Sequence, residues 1–332
     1  FCQRCFRLRR QRIGERAMNL ALGIDTSNYT TSLALYDAQA HEICQVKRLL
    51  PVKEGEKGLR QSDAVFHHVQ QLPELMDKLW KPGCGKALSA VGVSARPRDA
   101  EGSYMPCFTV GLTYARLLST ALEVPFYTFS HQAGHIAAAL YSSGSLSLLK
   151  QPFLAFHVSG GTTEALLVSP DDQRILSCQL AAKTLDLNAG QLIDRVGVML
   201  GLGFPAGPAL ERLALTCESK GLRGARPAMK GNDCCLSGGE NLCIKLLREG
   251  KEPAYIAAFC LEYVKAALDQ MCRGLLERYG RLPVVFAGGV MSNSILREYF
   301  SKQYGAMFAE PQFSSDNAGG IGVLTAIKAG LG

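Results

Sequence analysis

No stretch of this 332-residue chain approaches the roughly 18 consecutive apolar residues of a membrane-spanning helix. No membrane partner is expected. The first residues also lack an apolar core of signal-peptide length, so a cytoplasmic protein is the expectation. There is no Gly-x-Gly-x-x-Gly turn and no Gly-x-x-x-x-Gly-Lys-Ser/Thr loop, which disfavours nicotinamide enzymes and P-loop NTPases. Cys2 and Cys5 form a lone Cys-x-x-Cys without the second pair that a zinc finger requires, and Cys234 and Cys235 are adjacent. The 12 cysteines are expected to be reduced thiols. Net positive charge is scarce outside the N-terminus. Of the net +7, Arg4, Arg7, Arg9, Arg10, Arg12 and Arg16 against Glu15 place +5 in the first 17 residues and leave +2 for the rest. Bulk basicity is therefore a poor argument for a nucleic-acid partner.

What the chain does have is apolar material in quantity. At 47% hydrophobic and 20% charged residues it can support two ordinary domains and a sizeable core. Met18 immediately precedes the first strand-like run, so residues 1–17 are expected to be a disordered extension or to lie ahead of the true start.

Leu20 to Asp25 is apolar and ends at an acid, a small polar turn follows, and Ser32 to Tyr36 resumes the alternation: strand, turn, strand. Val52 to Ser62 reads as a loop. Val65, Val69, Leu72, Leu75, Met76 and Leu79 recur at helical spacing in 63–80 despite Pro73. Ala87 to Ser94 is a strand, Phe108 to Leu122 a helix, and Pro125 to Phe129 a strand. This is α/β alternation. After a linker at Ser142 to Ser147, Pro152 to Val168 repeats the opening pattern. With an offset of 132, Ser27 falls on Ser159, Thr30 on Thr162 and Thr31 on Thr163, which points to duplication of a half-molecule. Leu192 to Leu200, Pro208 to Cys217, Tyr255 to Tyr279, Ser294 to Tyr304 and Ile321 to Ala329 read as helices, Val284 to Ala287 and Met307 to Ala309 as strands, and 221–239 as a basic loop.

Three stretches carry chemistry. In Ser130 to Ala137, His131 and His135 share one helix face and are either two metal ligands or two hydrogen-bonded imidazoles at a helix start. A zinc protease would place a glutamate beside the first histidine, and Gln132 stands there, an amide that cannot take a proton from water. Asp316 is either a helix cap or a third ligand, which would complete a two-histidine, one-carboxylate set. Val158 to Thr163, VSGGTT, is either a phosphate-cradling glycine hairpin or an ordinary one. Ala287 to Asn293 leaves a strand and opens a helix, where an anion could sit.

Read together, HQAGH, VSGGTT, TLDLNAGQLIDRVGVMLGLGFPAGPALERLA, the SGG at Ser237, AGGVMSNSILR and SSDNAGG resemble the tRNA threonylcarbamoyladenosine synthase family, formerly called glycoprotease, in order from about Leu20 to the C-terminus. The resemblance implies an α/β actin-like ATPase fold: two duplicated RNase H-like lobes with a nucleotide and metal cleft between them. Lobe I would span 18–130, completed by the helix at 318–332, and lobe II 131–317. The implied reaction transfers the threonylcarbamoyl group from threonylcarbamoyl-AMP to N6 of the adenosine beside the tRNA anticodon.

Carried over position by position, the resemblance places the ligands of one divalent ion, iron or zinc, at His131, His135 and Asp316. It places adenine-nucleotide contacts, to threonylcarbamoyl-AMP or ATP/ADP, at His157, Val158, Ser159, Gly160, Gly161, Asp194, Gly207, Glu211 and Asn293. tRNA and the family's accessory proteins are the implied partners. Arg223, Arg226 and Lys230, or Arg96 and Arg98, are candidates for tRNA phosphate contact. The chain departs from the family pattern at Tyr29, Thr30, Thr162, Gln191, Arg195 and the Arg96, Pro97, Arg98 loop. The alternative those departures raise is a divergent paralogue that binds nucleotide and metal without the transfer.

Overall fold

The computed structural model describes residues 19–27, 29–51, 59–218, 225–314 and 318–331. The expected N-terminal extension, Met18, Arg223 and Asp316 lie outside the described residues. The chain divides into two compact units; the first runs to Tyr141 and takes in Asp172–Ile175 and the closing helix.

The first unit contains β1 (Leu20–Ser27), β2 (Thr30–Asp37), β3 (Glu42–Leu49), α1 (Gln61–Leu79), α2 (Cys84–Ala87), β4 (Leu88–Arg96), α3 (Phe108–Leu122), β5 (Phe126–Ser130) and α4 (His131–Ser142). The second contains β6 (Phe153–Val158), β7 (Thr163–Asp171), β8 (Ile175–Lys183), α5 (Ala189–Met199), α6 (Gly207–Leu215), β9 (Ala228–Lys230), β10 (Asp233–Cys235), α7 (Ser237–Arg248), α8 (Pro253–Tyr279), β11 (Val284–Ala287), α9 (Ser294–Tyr304) and β12 (Met307–Phe308). The closing helix α10 (Gly319–Lys328) returns to the first unit.

The two large sheets have one topology. Their strand orders are β3-β2-β1-β4-β5 and β8-β7-β6-β11-β12. In each, a leading hairpin is antiparallel and the later strands join in parallel. Even the hairpin register repeats: Thr26 faces Thr31 in the first sheet, and Val158 faces Thr163 in the second, each shifted by the 132 residues that separate the sequence matches. The duplication read from three identities is thus present in backbone hydrogen bonding.

Burial explains why these elements hold. In α1, Ala64, His68, Leu72, Leu75 and Leu79 form the inward stripe on β2 and β3, while Val69, expected on that face, is 45% exposed. The helix α8 is buried along most of its length, and Ile256, Phe259, Tyr263, Leu268 and Leu275 sit in the core of the second unit. α10 closes on β1 at van der Waals distance: a Cβ on Gly23 would lie 2.4 Å from Ala318 O and 2.5 Å from Gly322 N. Likewise Gly320 meets Gly134 of α4 so closely that a Cβ would overlap its carbonyl at 1.9 Å. These contacts set where α4 stands.

Several elements depart from the sequence reading. β3 and β8 are edge strands whose outward positions are polar, so alternation is weak there. The segment read as a basic loop contains the β9–β10 hairpin, and α7 starts at Ser237.

Candidate functional site

In the first unit, β1 ends in a buried acid. Asp25 has no solvent exposure and accepts hydrogen bonds from Ser27 Oγ (3.1 Å) and Ser94 Oγ. His131 opens α4 with Nδ1 3.1 Å from Asp25 Oδ2, and its Nε2 lies 2.9 Å from His135 Nε2. Both Nε2 atoms therefore converge on one point, while a carboxylate holds the far nitrogen of one ring. That is the arrangement in which a carboxylate fixes the tautomer of a ligating imidazole. Among the described residues no set of three His, Cys, Asp or Glu side chains is arranged to hold a metal. The third sequence candidate, Asp316, lies outside the described residues.

α4 is anchored at its N-terminus. Ser130 Oγ accepts from Ala133 N (3.2 Å) and donates to Asp99 Oδ2 (2.9 Å), and Gln132 N donates to Pro97 O (3.0 Å). Asp99 Oδ1 in turn accepts from Arg96 Nε (3.0 Å) and a terminal guanidinium nitrogen (2.6 Å). The Arg96–Pro97–Arg98 loop thus braces the histidine helix, and Arg96 is already committed to a carboxylate.

The first hairpin is occupied by its own hydroxyls. Thr26 Oγ1 donates to Cys107 O and accepts from Gly111 N; Thr31 Oγ1 pairs with His68 Nδ1 at 2.8 Å; Ser32 Oγ accepts from Ala318 N at 2.7 Å. All four of Thr26, Ser27, Thr31 and Ser32 are buried. The Thr26, Thr31 and Ser32 hydroxyls are therefore engaged within the first unit. His68 is fully buried, and among the described residues its Nε2 has no hydrogen-bond partner. Burial pushes its pKa down from 6.5 to about 4, against the upward pull of Asp25.

In the second unit the corresponding hairpin is open. Ser159 N donates to Thr162 O (2.7 Å), closing a four-residue turn, and Ser159 Oγ accepts from Gly161 N (3.3 Å) and Thr162 N (3.1 Å). Those two amides are spent within the turn. A Cβ on Gly160 or Gly161 would meet nothing within 4 Å, and neither glycine has the positive φ that would demand one. Their small size serves neither packing nor backbone conformation; it leaves room. Gly190, at the start of α5, is the opposite case: its Cβ would lie 2.6 Å from Gly160 N, so α5 stands directly against the hairpin, its Ala189 N bonded to Thr163 Oγ1 (2.9 Å).

The carboxylates expected to meet a ribose also serve the chain. Asp194 Oδ1 accepts from Ala206 N (2.8 Å), and Glu211 Oε1 accepts from Ser294 N (2.6 Å) and Ser294 Oγ (2.5 Å) at the N-terminus of α9. Each bonds through one oxygen, leaving the other available to a hydroxyl donor. Asn293 caps α9 by accepting from Leu296 N (3.1 Å). Gly207 opens α6. Two family departures find structural uses: Gln191 Oε1 accepts from Asn188 N (3.2 Å) in a capping box, and Arg195 pairs with Glu240 at 3.0 Å. Burial pushes Cys107 up to about 11 and Cys234 to about 12, so neither is a thiolate near neutrality. None of the ten described cysteines is in a disulfide.

Sequence reasoning missed Asp25, Asp99 and His68. For Asp25 a signal existed, an acid at the end of an apolar strand; nothing in the sequence pairs Asp99 with Arg96.

The family model TsaD, described as tRNA N6-adenosine threonylcarbamoyltransferase, matches residues 49–323. A protein of that name from Thermus thermophilus is 31% identical over 317 residues, 92% of this chain and 91% of the relative. One from Thermotoga neapolitana is 28% identical, covering 90% of each. Among solved structures, component A of the (R)-2-hydroxyglutaryl-CoA dehydratase of Acidaminococcus fermentans superposes with a TM-score of 0.53 at 15% identity, over 94% of this chain and 99% of that one. Full-length HypF, in a phosphate- and nucleotide-bound form, superposes with a TM-score of 0.58 at 14% identity, over 94% of this chain and 55% of that one. The fold is the actin-like ATPase fold. No helix among the described residues is long and apolar enough to cross a membrane.

Proposed function

Because the chain belongs to the tRNA N6-adenosine threonylcarbamoyltransferase family, we propose that it transfers the threonylcarbamoyl group from threonylcarbamoyl-AMP to N6 of the anticodon-adjacent adenosine of tRNA. It is a transferase, and it acts in the cytoplasm with the family's accessory proteins as partners. The observation that supports a nucleotide reading most directly is the open pair Gly160 and Gly161, glycines with no packing or conformational need.

The nucleotide sits over the Ser159–Gly161 hairpin. The free oxygens of Asp194 and Glu211 accept hydrogen bonds from ribose hydroxyls, and Asn293 and Gly207 line the same unit's ligand site. The convergence of His131 and His135, with Asp25 holding His131 Nδ1, fits a divalent ion such as iron or zinc. His131, His135 and Asp316 would hold it, and when bound it supplies positive charge for a substrate oxygen. The two lobes correspond to the two compact units, which divide after Tyr141 and again at the closing helix.

The amine attacks a carbonyl already activated as a mixed anhydride, and AMP leaves. Positioning and charge stabilisation are enough for that step. A covalent enzyme intermediate is not needed, and the buried, protonated Cys107 and Cys234 supply no nucleophile. The test incubates the purified protein with threonylcarbamoyl-AMP, tRNA and the accessory proteins, then quantifies threonylcarbamoyladenosine in digested tRNA by mass spectrometry. Sustained product formation is expected. Nucleotide and metal binding without product would refute the transfer.

A further inference from the structure

From Val196 to Leu210 the chain runs fifteen residues without one polar side chain, yet the middle of that run lies at the surface. Phe204 is 77% exposed and Val198 54%, and Gly201, Gly203, Pro205 and Pro208 are exposed with them. Scattered exposed apolar side chains need no explanation, but surface loops are ordinarily polar, and a continuous apolar one marks a contact surface.

The loop is pinned at both ends to α5. Leu202 N donates to Gly197 O (2.9 Å) and Gly201 N to Val198 O (3.0 Å), a Schellman turn with Gly201 in the left-handed region at φ 80°. A Cβ on Gly197 would lie 2.2 Å from Ala206 Cβ and 3.8 Å from Leu202 Cδ1, so both of those side chains pack onto the helix there. Ala206 N donates to Asp194 Oδ1 (2.8 Å), and Gly207 opens α6. With Leu202 and Ala206 drawn inward, Phe204 midway between them is turned out. A two-torsion ring on so fixed a loop loses little further freedom when a partner covers it.

The form of the surface selects the partner. A free nucleotide is held by walls on several sides, and a ring this exposed offers one face only. An unpaired RNA base needs no more than that face, because its own chain brings it and cations meet the phosphates on either side. Arg195 precedes the apolar run and Arg212 follows it; Arg212 is exposed and has no ion-pair partner among the described residues, while Arg195 pairs with Glu240. The ring also stands two residues from Ala206, whose amide holds Asp194 of the candidate site.

We propose that Phe204 is the stacking platform for an unpaired base of the acceptor tRNA's anticodon loop, presented by the apolar turn 200–206. The inference deepens the tRNA reading above and rests on it. Phe204 touches the substrate without meeting a reacting atom; it positions the RNA.

The test measures binding of an anticodon stem-loop RNA, and separately of ADP, to the full chain. Phe204→Ala should weaken RNA binding about tenfold, the scale of one stacked base, and leave ADP within about twofold. The slope of log RNA affinity against log salt should not move, since no charge is lost. Phe204→Leu keeps apolar bulk without a π face and should weaken RNA nearly as much, whereas Phe204→Trp should bind it at least as tightly as wild type. Melting temperatures establish that each variant is folded; if Phe204→Ala is not, the comparison of Leu with Trp decides. Wild-type RNA affinity in Phe204→Ala or Phe204→Leu overturns the proposal, the second because apolar contact without stacking would then suffice. Equal loss of RNA and ADP overturns it too, as the mark of a disturbed loop. Loss of accessory-protein binding with RNA affinity intact would assign the ring to a protein contact and overturn it likewise. A wild-type chain that binds ADP but not the RNA refutes the tRNA reading beneath.

Discussion

The Nε2 atoms of His131 and His135 face each other at 2.9 Å on one turn of α4, and the outer nitrogen of His131 rests on Asp25. Without an ion, two imidazole nitrogens this close share a proton; with one, both can ligate. Asp25→Asn removes the carboxylate that sets the His131 tautomer while keeping its volume. Zinc affinity in a chelator competition should fall about tenfold to a hundredfold. Affinity equal to wild type would show that Asp25 is only a buried anchor for Ser27 and Ser94.

Glycines of the second hairpin should separate binding from stability. Gly160→Ala enters open space, so its melting temperature should match the wild type while ADP binding weakens at least about tenfold, because the added methyl occupies the space a phosphate would take. Gly190→Ala drives a Cβ to 2.6 Å from Gly160 N, and should cost about 2 kcal/mol or more of stability by overpacking. Unchanged ADP affinity in Gly160→Ala would show that the open space at Gly160 has no part in nucleotide binding.

Basic side chains differ in what they are free to do. Arg226 and Lys230 have no ion-pair partner among the described residues, whereas Arg96 is bound to Asp99. Neutralising Arg226 and Lys230 together should reduce the slope of log tRNA affinity against log salt by about 1.5 if both meet phosphate. Arg96→Ala should leave that slope unchanged and instead loosen the loop that braces α4. A flat response in the double variant would make Arg226 and Lys230 solvated bystanders.

Acid stability should report His68. Its pKa is about 4 in the folded protein, against 6.5 as a free side chain, with burial as the main cause. The folded value is the lower one, so between those two pH values the unfolded chain binds more protons. Stability is then fully present above pH 6.5 and falls as pH drops toward 4, by on the order of 3 kcal/mol for this group. His68→Leu should flatten that part of the pH profile in denaturant titrations. An unchanged profile would assign the acid sensitivity to other groups.

Much of the fold was legible because the spacing of apolar residues and the flanking Gly, Pro and Asn mark elements locally. Phe108–Leu122, Val284–Ala287 and Ser294–Tyr304 were bounded from sequence as they stand in the structure. Strands β3 and β8 were not, because each lies at a sheet edge and only one flank needs apolar neighbours. α7 was hidden by its opening SGG, whose Ser237 instead ties both its N–H and its hydroxyl to Asp186 Oδ2, at 3.3 and 2.5 Å. Those bonds, with donors from Leu236 and Leu187, hold the Asp186 carboxyl below its ordinary range despite the opposing effect of burial.

The candidate site divides along the same line. Local chemistry marked His131 and His135 by their spacing and VSGGTT by its composition, since helix periodicity and glycine geometry act over a few residues. The order of motifs marked the family. Pairing across the chain could not be read that way: Asp25 meets His131 over 106 residues, and Thr31 meets His68 over 37. Nor could the sequence say that the first hairpin spends its hydroxyls on other parts of the same unit while the second leaves its glycines open. Which polar groups are satisfied internally, and which remain for a ligand, depends on what packing brings alongside them, and only the folded chain decides that.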